Sequence, residues 1–190
     1  MKTFLLSVWF LSSILFSQGQ VGFGVKAGYN NSTLSLAGTN FTSNQKSKSG
    51  FNAGIFSSIP LFDSFDLQPE VSYSEQGSQS KDSSATDNFN YLNIPVLFKY
   101  QHKTGIFLNT GPQIGFLLNS NYRSEHTSQD LKSVSKSVNF SWTIGAGYLI
   151  STIGLALDVR YNYGLTNATT YEIFTSKNRV LQINLLYTIR

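Results

Sequence analysis

From residue 21 onward the chain changes polarity at almost every step. A period of two belongs to β-strands, whose successive side chains point to opposite faces; a helix cannot gather such a pattern onto one side. In the first segment Val21, Phe23, Val25, Ala27 and Tyr29 form one face, and Gly22, Gly24, Lys26, Gly28 and Asn30 form the other. The second opposes Phe51, Ala53, Ile55 and Ile59 to Asn52, Gly54 and Ser58. The third sets Leu67, Pro69, Val71 and Tyr73 against Gln68, Glu70, Ser72 and Ser74. The fourth sets Leu92, Ile94, Val96, Phe98 and Tyr100 against Asn93, Pro95, Leu97 and Lys99.

Four more segments repeat the pattern. Ile106 to Leu118 alternates with Gly105, Asn109, Gly111, Gln113 and Gly115. Phe140, Trp142, Ile144, Ala146 and Tyr148 oppose Ser141, Thr143, Gly145 and Gly147. Leu155, Leu157, Val159, Tyr161 and Tyr163 oppose Gly154, Ala156, Asp158, Arg160 and Asn162. Leu181, Ile183, Leu185, Tyr187 and Ile189 oppose Gln182, Asn184, Thr188 and Arg190. The chain is therefore all-β, with eight strands of about 10 residues or a little more, the length of a tilted membrane strand.

The connectors fall into two classes. Those near Leu61–Ser64, Gln101–Lys103 and Ser151–Thr152 are short. Those over Ala37–Ser49, Gly77–Asn88, Asn119–Ser137 and Thr166–Asn178 are long and rich in Ser, Thr, Asn and Lys. The two classes alternate strictly, so every long loop falls at one end of an up-and-down antiparallel meander. A transmembrane β-barrel has this layout, with short periplasmic turns and long outer loops.

Either face of such a barrel could in principle be inside, and volume decides between them. An eight-stranded barrel has an interior that side chains just fill. Several bulky groups per strand, Trp142 among them, would overfill it, whereas Gly, Ser, Asn and Gln with a few charges suit a narrow polar lumen. The bulky face then points outward and needs lipid, which makes a soluble ligand-binding barrel the rival fold. Tyr29, Tyr73, Tyr100, Tyr148, Tyr163 and Tyr187 cluster toward strand ends, as interfacial aromatic girdles require. Pro69, Pro95 and Pro112 cannot donate to a ladder and are expected at strand ends or bulges.

The N-terminus reads separately. MKTFLLSVWFLSSILFSQGQ has one basic residue, an apolar run from Phe4 to Phe16 and a small-x-small triplet, Ser17-Gln18-Gly19. This is the pattern of a secretory signal peptide, expected to be cleaved after residue 19 and to leave a barrel domain over 20–190. There is no cysteine, so neither a lipoprotein anchor nor a disulfide framework is available to this exported chain. The net charge of +4 is scattered, without the basic, aromatic-interleaved run that nucleic-acid binding needs.

The stretches GFGVKAGYNNSTLS, LQPEVSYSEQG, NYLNIPVLFKY, TGPQIGFLL and DVRYNYGLTN occur in this order. Together they resemble the PorT-like outer-membrane β-barrel family of Bacteroidetes, small barrels on the OmpA/OmpX-like plan, over nearly all of the mature chain. The resemblance implies residence in the Gram-negative outer membrane and, from the founding member, an association with type IX secretion. One departure is the ending YTIR, where many outer-membrane barrels end in an aromatic.

Lys26, Glu70, Asp158 and Arg160 lie on the inward parity, with Lys99 a further candidate. Buried charge must be paired or solvated, so these residues are expected to form a salt-bridged plug across the lumen; the functional alternative is an ion or proton path. VGFGVKAGYN, three glycines around a lysine, is not a phosphate loop, because it continues as a strand instead of opening a helix. Its glycines are expected to leave room for Lys26.

Enzyme chemistry finds little to use. The only histidines are His102, in a short turn, and His126, in a long loop. Glu125 with His126-Thr127-Ser128 resembles the His-x-Ser arrangement of outer-membrane lipid A deacylases, but it falls in a polar loop instead of on a rigid lipid-facing strand. No spacing implies a metal or another cofactor. Asn40, Phe41, Tyr122, Tyr171 and Phe174 place aromatic and amide groups in the outer loops, where sugar or protein contacts are made. The reading is a monomeric, non-enzymatic barrel with a filled polar lumen, in contact with outer-membrane lipid and serving envelope structure or secretion and surface components. A narrow pore for ions or small solutes and a lipid-modifying enzyme are the alternatives.

Overall fold

The computed structural model describes residues 20–37, 45–80, 85–124, 127–132, 135–168 and 175–189. The expected signal peptide, the loop residues Asn40, Phe41, Glu125, His126, Tyr171 and Phe174, and the terminal Arg190 lie outside the described residues.

The strands are β1 (Gly22–Ala37), β2 (Gln45–Phe62), β3 (Phe65–Ser80), β4 (Thr86–Gln101), β5 (Ile106–Arg123), β6 (Ser128–Asp130), β7 (Val138–Ile150), β8 (Leu155–Asn167) and β9 (Thr175–Ile189). Each long strand pairs antiparallel with its neighbours in sequence, and β1 closes the sheet against β9. The result is a closed eight-stranded up-and-down barrel. The three-residue β6 folds back onto the outer end of β5, placing Tyr122 opposite Gln129.

The turns at Asp63–Ser64, 102–105 and 151–154 share one end with both termini of the barrel. Gly105 adopts φ 96°, a region only glycine enters freely, and a Cβ there would stand 2.5 Å from the Leu149 carbonyl.

Exposure fixes the orientation of the wall. Phe23 and Ile144 are each 62 % exposed, whereas Asn30, Asn184 and Asp158 are fully buried. This is a soluble protein turned inside out: the apolar side faces outward along every long strand, and a hydrocarbon solvent is what stabilises it.

The eight long strands exceed what the sequence pattern predicts, at 13 to 18 residues. Among the described residues, most of what reads as long loops is strand: β1 continues to Ala37, β3 to Ser80, β5 to Arg123, and β9 begins at Thr175. At about 3.3 Å per residue and a tilt near 40°, such strands rise well above an apolar band about 25 Å tall. Beyond the membrane both faces meet polar surroundings, so hydropathy stops alternating while the hydrogen-bond ladder continues.

The prolines also depart from expectation, since all three stand inside strands. The β3–β4 pairing is interrupted, without a change of register, between Pro69/Val96 and Ser72/Asn93, a gap that includes Pro95. The β4–β5 pairing is interrupted in the same way between Pro95/Gln113 and Phe98/Thr110, a gap that includes Pro112. On their other sides Pro95 and Pro112 keep partners, Gln113 and Trp142. A missing N–H is thus absorbed on one side of a strand while the other side stays paired.

Candidate functional site

The lumen is the chemically distinctive part of the molecule, and it is built in layers. Its middle holds charge. Lys26 on β1 donates from Nζ to Glu70 Oε2 on β3 at 2.6 Å. Arg160 on β8 reaches across the lumen, its Nη1 lying 2.8 Å from Glu70 Oε1 and 2.9 Å from Oε2. The Nε of Arg160 donates to Asp158 Oδ1 at 2.8 Å. Gln68 donates to Glu70 Oε1 at 2.7 Å, and Asn109 to Asp158 Oδ2 at 2.8 Å. All four ionised groups are buried and their charges cancel. A cluster that is neutral and multiply hydrogen-bonded is the arrangement in which buried ions are tolerated.

All four expected charges therefore meet, and the carboxylate opposite Lys26 is Glu70. Lys99 does not join them. Its ammonium stands 4.5 Å from the centroid of the Phe107 ring. The glycines of β1 serve a different purpose from the one expected. A Cβ at Gly24 would come within 2.3 Å of Phe56 Cζ, and one at Gly28 within 2.3 Å of Asn184 Oδ1. They make room for Phe56 and Asn184, not for Lys26. Room for Arg160 comes from β7 instead, where a Cβ at Gly145 would meet its Cγ at 2.8 Å.

Above the ions lies a layer of amides and hydroxyls. Asn30 Oδ1 accepts from Asn52 at 2.7 Å and from Gln182 at 3.0 Å, and its amide donates to the Glu75 carbonyl at 2.8 Å. Thr143 donates to Asn162, Gln113 to Ser141, and Asn178 to Gln76. A cavity of about 10 Å³ between Gln76, Asn139 and Asn162 is at the lower limit for one water.

Apolar clusters close both ends. Phe56, Phe107, Ala156 and Leu186, with Leu149 against them, lie toward the short turns. Leu34, Phe89, Tyr91, Leu117 and Ala168 lie toward the long-loop end. Sequence reasoning missed these caps, although their signal is present. Phe56, Phe107, Leu117 and Leu186 are large apolar residues on the otherwise polar parity.

At the outer rim burial lowers the Lys48 ammonium below its ordinary value, with Glu75 acting in the opposite direction. Burial raises the Asp87 carboxyl, against a hydrogen bond from Ser78. His102 is exposed in its turn, 2.9 Å from the Thr104 hydroxyl. Ser128 belongs to the β6 hairpin, beyond the apolar band. Among the described residues no group of three His, Cys, Asp or Glu side chains converges.

Residues 16–170 match the family model described as an outer membrane protein beta-barrel domain. The barrel superposes on Neisserial surface protein A with a TM-score of 0.59 and 12 % identity, covering 89 % of this chain and 99 % of the other. It superposes on Ail, the attachment invasion locus protein of Yersinia pestis, with a TM-score of 0.51 and 14 % identity, covering 90 % and 100 %. These likenesses are of fold. No curated protein matches the sequence.

Proposed function

Because this chain belongs to the outer membrane protein beta-barrel domain family, we propose that it is a non-conducting, non-enzymatic barrel of the Gram-negative outer membrane that acts through its outer surface. The observation that carries this reading is the sealed lumen: a neutral cluster of Lys26, Glu70, Asp158 and Arg160 between two apolar caps. An ion path would need continuous hydrated volume, and Phe56, Phe107 and Leu186 interrupt it. The strand extensions above the apolar band supply a rigid polar platform suited to envelope or surface contacts as a monomer. Ail, a protein of the same fold, has been solved in complex with a heparin analogue, sucrose octasulfate.

Reconstitution of the purified protein in planar lipid bilayers tests the closed lumen, and we expect no steady conductance. A sustained open-channel current would overturn the reading in favour of a narrow pore.

The resemblance of NYLNIPVLFKY, DVRYNYGLTN and their companions to PorT-like barrels supports a secretion-associated role for the same surface. A deletion strain assayed for cargo secretion and envelope integrity tests that role. Normal secretion, with no machinery component captured through the outer loops, would remove it.

A further inference from the structure

Lys99 is the exception inside the barrel. It is 8 % exposed, yet among the described residues no carboxylate lies within ion-pair distance; its ammonium stands over the Phe107 ring face, and Asp66 acts on it only from farther off. A ring face offsets only part of the desolvation of a buried cation. Asp66 stands opposite Lys99 in the β3–β4 register, but its carboxylate accepts from the Ser58 hydroxyl at 2.9 Å.

Lys99 also lines a vestibule of about 250 Å³ at the short-turn end of the lumen. Phe56, Leu149, Ala156 and Leu186 form its apolar wall, and Asp66 and Gln101 belong to its polar part. The same apolar residues cap the lumen, so the vestibule is blind. Pockets for drug-sized ligands span about 300–1,000 Å³, which makes a smaller guest the fitting one here. A cation without an ion-pair partner beside an apolar wall suits a short tail bearing one negative head, seated on Lys99 and away from the Asp66 carboxylate.

We propose that the periplasmic mouth binds a small amphipathic carboxylate, of the class of medium-chain fatty acids, with its head on Lys99 and its tail against Phe56 and Leu186. The carboxylate completes the hydrogen bonding of an ammonium that the barrel leaves open, and the tail packs against the apolar wall of the vestibule.

The full barrel in zwitterionic lipid nanodiscs, titrated with octanoate and followed by amide NMR, tests this. Octanoate should shift the amides of Phe56, Lys99 and Leu186 saturably, with 1-octanol weaker by roughly tenfold or more, the worth of a charge-assisted hydrogen bond. Lys99→Met should weaken octanoate by a similar factor, and Lys99→Arg should retain it. Leu186→Trp, which fills the vestibule and leaves the cation in place, should abolish binding and serves if Lys99→Met does not fold. Equal binding of octanol and octanoate would overturn the proposal. So would shifts confined to the lipid-facing Phe23, Ile55 and Leu185, or undiminished binding to Leu186→Trp.

Discussion

Lys26 and Lys99 are both buried ammonium groups on the inward face of one barrel, and their surroundings are opposite. Lys26 sits in the middle layer, 2.6 Å from a carboxylate that Arg160 also holds. Lys99 sits at the periplasmic mouth, over an aromatic ring and beside apolar side chains. The middle of the lumen is beyond the reach of solvent, so charge there must cancel within the protein. At the mouth a cation can keep an unfilled valence because water or a guest can reach it. Burial alone does not distinguish the two residues; the distance to the next carboxylate does.

Substitutions can break this contrast or sharpen it. The largest effect is expected for Glu70→Gln, which leaves Lys26 and Arg160 facing each other across a neutral amide. Losing one partner of a buried ion cluster costs about 3–5 kcal/mol, to be read from urea unfolding in lipid vesicles. Lys26→Met should cost less, about 1.5–3 kcal/mol, because Arg160 still holds Glu70. Next, Gly24→Ala pushes a methyl against the Phe56 ring and the Tyr187 carbonyl, and overpacking of this kind costs about 1–3 kcal/mol. Lys99→Met should cost nothing, or stabilise by up to about 1 kcal/mol, since an unpaired cation gives way to an apolar chain of similar length. A loss as large as that of Lys26→Met would place Lys99 in the structural network and erase the contrast. His102→Ala, in an exposed turn, should stay within about 0.5 kcal/mol by the same measurement.

The outward face was the most legible part of the molecule, because hydrocarbon imposes one rule on every strand. Phe23, Ile55, Val71, Trp142 and Leu185 all read correctly from parity. The extent of the strands was not legible. Above the membrane Ser32, Gln76 and Asn178 face a polar lumen while Asn31 and Glu75 stand in polar surroundings on the wall's other side, so no contrast marks the strand. Parity put Lys26, Glu70, Asp158 and Arg160 in the lumen, but the choice of Glu70 for Lys26 depends on the stagger between strands, which no single strand encodes. The caps were hidden for a simpler reason. Phe56, Phe107 and Leu186 break the alternation one residue at a time, and an isolated break looks like noise until closure gathers the three at one end.

The seam between β1 and β9 runs through fifteen residue pairs, from Phe23 opposite Ile189 to Ala37 opposite Thr175. Its partners come from opposite ends of the chain, so the barrel acquires these contacts only after nearly the whole polypeptide has been brought into one ring. Pairing at such sequence separation is slow, and a meander lacking its last strand would show two unpaired edges to the hydrocarbon. Assembly of this protein is therefore expected to be all-or-none at its final step. A chain truncated before Leu181 should be unable to hold the rest of the barrel in the bilayer.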